Sequence, residues 1–322
     1  MTMEKVRVRI PASTANLGPG FDSLGMALNL YAWIEMEEAE TTRFHLYGDH
    51  MDGVPTDKTN LIYQVAQLVF NRAGVSVPEL AISMYSDIPL TRGLGSSASA
   101  IVGALAAANA LIGEPLSRQE LFTMATELEK HPDNVGASLF GGIIASYWDG
   151  TRAEHLRIEP LPSLEVLVAI PAFQLATEKA RHALPDEVPM KDAVFNVGHS
   201  SVLVAALCTG RYDVIRHAMQ DALHQPYRAP LIPGMQAILA QAVDHGALGV
   251  ALSGAGPTLL ALVDAGSSRK RELEQFLLDT LGAEGIAATT LCLKPDLAGV
   301  CVLTEDDGKR TFIETIKGEV RA

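Results

Sequence analysis

The chain has 322 residues, 48% of them hydrophobic and 20% charged, the composition of an ordinary globular protein long enough for two cores. Its 38 acidic and 25 basic residues leave a formal net charge of −13, which excludes an extended basic face for nucleic acid or an anionic membrane; an anionic ligand has to be held by locally placed groups. Cys208, Cys292 and Cys301 are far apart and lack metal-type spacing, no N-terminal signal pattern is visible, and no apolar run reaches the roughly 18 residues of a membrane span, all of which fits a reducing cytoplasm.

Val6, Val8 and Ile10 alternate with Lys5, Arg7 and Arg9, the period of a strand with one face in a core, and Pro11 is expected to stop it. Pro11 to Asp22 is dense in turn formers yet nearly free of charge, unlike an exposed linker. Leu24 to Met36 resumes the sheet. Asn60 to Ala73 reads as a helix with Leu61, Val65, Leu68 and Val69 on one face, and Leu80, Ile82 and Met84 alternate as a strand. The run Gly93-Leu94-Gly95-Ser96-Ser97-Ala98-Ser99 then opens an alanine-rich helix that extends to Ile112. Ser117 and Glu120 predict a capping box at the start of the next helix, with Leu116 and Leu121 as its hydrophobic staple. Pro132 ends that helix, so Glu127, Glu129 and Lys130 fall in its last turn. A short helix at 133–142 leads to a strand at 143–148. The polar stretch Asp149 to Ser163 is the expected boundary between a first domain, 1–160, and a second, 161–305, with a charged tail at 306–322. The second domain reads as a strand at 165–170, helices up to His245, strand 249–252, loop 253–258, strand 259–263, helix 268–281 and strand 287–293.

The run at Gly93 has the chemistry of a phosphate site. Its glycines let the backbone approach a ligand, its serines are placed to cap a helix start, and that start presents unpaired N–H groups at a positive dipole end. Gly93 to Ala98 also satisfies the loose dinucleotide pattern G-x-G-x-x-G/A. However, the helix after it is followed by the capped helix at Ser117, where a Rossmann fold needs a second parallel strand, and no Walker A string occurs. Taken alone, the run is equally well explained as a plain strand-to-helix turn.

Two further glycine-rich loops leave strands, Pro11 to Asp22 and Ser253-Gly254-Ala255-Gly256-Pro257-Thr258. In the order PASTANLGPGFD, GLGSSAS, SGAGPT the three loops resemble those of the GHMP kinases, which include galactokinase and the kinases of homoserine, mevalonate and phosphomevalonate. The wording of the first loop, with Asn16 and Asp22 around Leu17-Gly18-Pro19-Gly20-Phe21, is similar to the members that act on homoserine. So are His131-Pro132-Asp133-Asn134 and Pro226-Tyr227-Arg228, and the resemblance spans residues 4 to 303. It implies an α+β protein with the two-domain GHMP kinase fold: an N-terminal domain like domain two of ribosomal protein S5, a C-terminal ferredoxin-like domain, and a cleft between them. It further implies ATP as co-substrate with Mg²⁺, L-homoserine as the acceptor phosphorylated on its side-chain hydroxyl in the step before threonine synthase, and a cytoplasmic homodimer. A mevalonate-type kinase and a catalytically silent relative are the alternatives.

The resemblance also implies roles for residues. Pro89, Leu90, Thr91 and Arg92 lead into the nucleotide loop, where Gly93, Leu94, Gly95, Ser96, Ser97, Ala98 and Ser99 surround the phosphates; Gly254 and Gly256 close over them, and Asn60 lies near the base. Ser97 and Glu127 hold the metal, with Glu129 as the alternative carboxylate; outside the resemblance, Glu127 is merely a solvated charge and the serines are helix caps. Arg181 and Arg228 match the pair that binds the acceptor's carboxylate, although each read alone is a surface arginine. Asp22 and Asp133 are set to receive the ammonium, and Asn16 and His131 to hydrogen-bond near the hydroxyl. Several family members pair an aspartate base with a lysine in the first motif, which here has Asn16 and no lysine. Asp133, Asp22 and His131 therefore stand as candidate bases beside a mechanism in which proximity and electrostatics suffice and the proton leaves late.

Overall fold

The computed structural model describes residues 5–48, 51, 53–303 and 310–320. Alternation builds the first strand, β1 (Lys5–Ala15): Val6, Val8 and Ile10 are buried under the helices while Lys5, Arg7 and Arg9 face the other way. Pro11 does not stop it. The register against β2 (Leu24–Glu38) shifts between Pro11 and Ala12, so the proline is absorbed by an irregularity and pairing resumes to Ala15. With β3 (Arg43–Tyr47), β4 (Leu80–Ser86), β5 (Ile143–Trp148), β6 (Ala153–Ile158) and the late β11 (Cys301–Leu303), these strands form a seven-stranded sheet in which β11-β1-β2-β4-β3 are neighbours and β5 joins β2 to β6. β6 lies inside the stretch read as a domain boundary. Only its ends, Ala153 and Ile158, are buried, so its exposed middle gave it the composition of a linker.

Helices α1 (Leu61–Ala73), α2 (Ser96–Leu111), α3 (Arg118–Glu129) and α4 (Asp133–Phe140) cover one face of this sheet over a core that includes Ile10, Ile34, Phe70, Ile82, Val102, Leu105 and Phe122. The capping box at the head of α3 is present as expected: Ser117 accepts from Glu120 N, and the Glu120 side chain accepts from Ser117 N. The opposite face is partly covered by α11 (Phe312–Val320). Phe312 and Ile316 pack there on Trp33 beside Tyr31, Tyr47 and Tyr85, so the expected tail contains a packed helix; its residues 306–309 and 321–322 lie outside the described residues.

The second sheet is four-stranded and antiparallel, in the order β10 (Ala288–Leu293), β7 (Leu164–Pro171), β9 (Leu259–Asp264), β8 (Gly249–Leu252). The helices α5 (Thr177–His182), α6 (Met190–Thr209), α7 (Ile215–Ala218), α8 (Gln225–Arg228) and α9 (Met235–Gln241) lie between β7 and β8, and α10 (Lys270–Ala283) lies between β9 and β10. That is the βαββαβ succession of a ferredoxin-like domain. α6 has the length and mean hydropathy of a membrane span, but Lys191, Asp192, Asn196 and His199 interrupt it, so it is no continuous apolar run; Leu203, Ala206 and Leu207 carry it into the core. That core is shared between the sheets: Met26, Leu28 and Ile143 of the first meet Val166, Val168, Leu260 and Leu262 of the second. The two domains are thus joined by buried apolar surface, and the polar cleft opens along the edge of that junction.

Candidate active site

On one side of the cleft the chain passes from β4 through a glycine turn into α2. Gly93 and Gly95 have φ of +80° and +71°, and neither has room for a side chain: a Cβ on Gly93 would lie 2.4 Å from Ser253 O, and one on Gly95 2.1 Å from Ser13 Oγ. The turn is pressed between the first glycine-rich loop, where Ser13 N donates to Leu94 O, and the third, where Thr258 N donates to Arg92 O and Ser253 Oγ lies 2.5 Å from Gly93 O. The third loop is therefore already docked on the turn. The serines do not cap the helix as expected. Gly95 is the N-cap without a side-chain bond, Ser96 and Ser97 are helical, and the first residues of α2, Ser96 to Ala98, line the cleft.

Ser97 Oγ instead donates to Glu129 Oε1 at 2.5 Å. Glu127, the expected metal carboxylate, lies in a separate groove with Leu68, Arg72, Thr123 and Leu128. The cause is helix geometry: two residues along a helix turn a side chain by about 200°, so Glu127 and Glu129 near the end of α3 point opposite ways. Ser96 and Ser97 also border a neighbouring apolar pocket of about 340 Å³, lined by Ile34, Met51, Val54, Ile62, Met84 and Leu90 among others. Asn60 lines it too, but its side chain is occupied in capping α1, accepting from Ile62 N and donating to Pro55 O. Pro89, Arg92, Leu94 and Gly256 border neither cavity: Arg92 reaches Ala172 O, Leu94 is in the shared core, and Gly256 sits against Ile232 and Leu252.

The other side of the cleft is built from charged side chains delivered by four segments. Asn16, Leu17 and Asp22 all have positive φ, so the first loop is held in a backbone form that its side chains disfavour. Asn16, buried, accepts from Asp22 N and donates to Gly254 O. Asp22 is gripped by both terminal nitrogens of Arg181, at 2.9 and 3.1 Å. Arg228 is 2% exposed and no surface arginine; its Nε donates to Ala180 O and its Nη1 to Gly254 O, while among the described residues its Nη2 makes no hydrogen bond. Burial, and then repulsion from Arg181, lower its guanidinium to about 10. The Phe21 ring lies near both arginines, 5.9 Å from the Arg181 guanidinium and 5.3 Å from that of Arg228.

Behind them, His131 Nδ1 lies 2.8 Å from Asp133 Oδ1 and its Nε2 3.6 Å from Glu129 Oε2. Burial opposes a charge on this imidazole, but Asp133, Asp22 and Glu129 outweigh it and raise the group to about 9. Its neighbours thus favour the charged imidazolium, a form with no lone pair to accept a proton, which weighs against His131 among the three candidate bases. Asp133 Oδ1 also accepts from Asn134 N, while among the described residues its Oδ2 accepts nothing. Asp22, His131 and Asp133 approach closely enough to suggest a metal site, but Arg181 already holds both oxygens of Asp22, and His131 Nδ1 is engaged with Asp133 Oδ1. The cleft of about 130 Å³ brings together Asn16, Asp22, Thr91, Gly93, Gly95, Ser96, Ser97, Ala98, Glu129, His131, Asp133, Arg181, Arg228 and Gly254 of the expected residues. It also holds Thr177, which sequence reasoning did not single out, and Asn134, which it named in a motif without giving it a role.

Comparison with known proteins identifies the family. The model of the GHMP kinases N terminal domain matches residues 60–142, and that of the GHMP kinases C terminal matches residues 203–278. A homoserine kinase of Carboxydothermus hydrogenoformans is 43% identical over 305 residues, 94% of this chain and 99% of that protein. One from Desulfitobacterium hafniense is 42% identical over 298 residues, 92% of this chain and all of its own length. The crystal structure of homoserine kinase from Cytophaga hutchinsonii superposes with a TM-score of 0.84 at 27% identity, covering 94% of this chain and 98% of that one.

Proposed function

The chain belongs to the GHMP kinase family and carries the activity of its homoserine kinase relatives, transfer of the terminal phosphoryl group of ATP to the side-chain hydroxyl of L-homoserine; we propose that the cleft divides this task between main chain and side chains. The amides at the start of α2 receive the phosphates, with the base in the adjoining apolar pocket. A phosphoryl group in transfer spreads its charge over its equatorial oxygens, and fixed N–H dipoles compensate that charge without reorganising.

The observation that carries the acceptor reading is charge balance. Arg181, Arg228 and His131 supply three formal positive charges, and Asp22, Asp133 and Glu129 three negative, around one small cavity. Such a set stays balanced when it takes a zwitterion, whereas the carboxylate of a mevalonate-type acceptor would arrive uncompensated. The free Nη2 of Arg228, with Arg181, binds the acceptor's carboxylate; Asp22 and the open Oδ2 of Asp133 receive its ammonium. Asn16 and the imidazolium of His131 orient the hydroxyl. With His131 protonated, Asp133 hydrogen-bonded to it and Asp22 held by Arg181, the cleft supports transfer by proximity, with the proton leaving late.

The adjacent oxygens of Ser97 and Glu129 are hard donors at the phosphate site and suit a small divalent cation, so these two residues, and not Glu127, would hold Mg²⁺. Bound there, the ion would neutralise phosphate charge. The division at 1–160 and 161–305, with β11 returned to the first sheet, and a cytoplasmic homodimer complete this reading. The test is ADP release with homoserine, mevalonate, galactose, serine or no acceptor. Turnover with homoserine alone supports the assignment; equal turnover with mevalonate contradicts the charge-balance account.

A further inference from the structure

Arg228 occupies the last position of α8, a single turn of four residues, which is too short to hold its own geometry. Its position is set from behind. Asp221, whose side chain is wholly buried, accepts four hydrogen bonds: Oδ1 from Asn196 Nδ2 at 2.9 Å and Leu223 N at 3.1 Å, Oδ2 from His224 N at 3.0 Å and Gln225 N at 2.7 Å. Neither Asp221, Asn196 nor His224 borders the cleft. We propose that Asp221 is a positioning residue for acceptor binding: its carboxylate fixes the turn that carries His224 and Arg228, and so sets where Arg228 presents Nη2 to the carboxylate of homoserine.

Two chains of contact lead from Asp221 to the cleft. The first runs through the turn to His224. The His224 Nε2 lies 2.8 Å from the carbonyl of Gly18, which can only accept, so Nε2 carries the proton and Nδ1 is left to accept from Arg228 Nη1 at 3.3 Å. Burial, with Arg228 alongside, holds this imidazole below its ordinary value, in the neutral form that the arrangement needs. The second chain runs through Asn196 of α6, which donates to Pro19 O as well as to Asp221 and accepts from Ala222 N. Both end on the first glycine-rich loop, where the His224 ring also stacks on Phe21 at 5.1 Å. A buried carboxylate with four N–H donors is a strong constraint, and an amide of the same size cannot reproduce it, because its NH₂ would face backbone N–H groups.

The inference rests on the proposed role of Arg228, and a double-mutant cycle separates the two. D221N is expected to raise the KM for homoserine at least tenfold while the KM for ATP stays within twofold; in an Arg228→Ala background the same change should add less than twofold. A rise in both constants together, or a full tenfold effect in the Arg228→Ala background, would overturn the positioning role. Should D221N fold poorly, N196A removes one of the four donors and is expected to raise the homoserine KM at least threefold with ATP unaffected; no change in either constant would count against the proposal. If Arg228→Ala leaves the homoserine KM unaltered, the assignment of the acceptor site fails and the inference fails with it. If Arg228→Ala raises that KM and D221N does not, only the inference fails.

Discussion

In the proposed function, the two halves of the cleft solve recognition in opposite ways. The donor half is main chain: an uncharged turn whose glycines exist because Ser13 and Ser253 leave no space for a Cβ, feeding amides into the start of a 16-residue helix. The acceptor half is side chain: Asp22, His131, Asp133, Arg181 and Arg228, delivered by four separate segments, with His131, Asp133 and Arg228 withdrawn from water. Phosphate needs only a local arrangement of N–H groups. A small zwitterion needs opposite charges at defined places, and burying them requires that each be paired and braced. The acceptor half is accordingly the more expensive to build, and the one where single substitutions should cost most.

The largest effect is expected at Arg228. Arg228→Ala removes a desolvated donor from the acceptor's carboxylate and should raise the KM for homoserine by about 100-fold, a loss of roughly 3 kcal/mol, in steady-state assays at saturating ATP. Next is Glu129, the carboxylate proposed to hold the metal, at the border of the halves. Glu129→Gln should lower kcat about 30-fold and shift the Mg²⁺ dependence to higher concentration, whereas Glu127→Gln should stay within about twofold of wild type. The reverse ranking would restore the carboxylate expected from the sequence.

In the donor half, Gly95→Ala places a Cβ against Ser13 Oγ at a positive φ and should raise the KM for ATP about tenfold. The smallest effect is one of pH. His131 is raised from 6.5 to about 9 on folding, so the stability it lends is complete below about pH 6.5 and is lost as the pH climbs through 9. The Tm of the wild type should therefore fall by about 5 °C more over that interval than the Tm of His131→Gln, as followed by circular dichroism. Parallel Tm curves would show that the imidazolium is not held by its carboxylates.

Legibility in the sequence follows the same division. The donor turn, the capping box at Ser117 and the alternation of β1 are local patterns, and the structure has them where the strings lie. The acceptor half is not local. Nothing in Pro226-Tyr227-Arg228 marks the arginine as buried, because its burial comes from Ala180 and Gly254, which lie 48 and 26 residues away in sequence. The choice between Glu127 and Glu129 depends on which face of α3 turns toward Ser97, and Ser97 lies 32 residues from Glu129 in sequence. β6 and α11 were hidden for a simpler reason: each buries only two described residues, too few to show a period within polar surroundings.

The division between the halves is tested most directly by one crossed kinetic experiment, in which the KM values for ATP and for homoserine are both measured in Gly95→Ala and in Arg228→Ala. The expected result is a diagonal: the glycine variant raises the ATP constant and leaves homoserine within about twofold, and the arginine variant does the reverse. Either variant raising both constants by the same factor would contradict a cleft in which main chain holds the donor and side chains hold the acceptor.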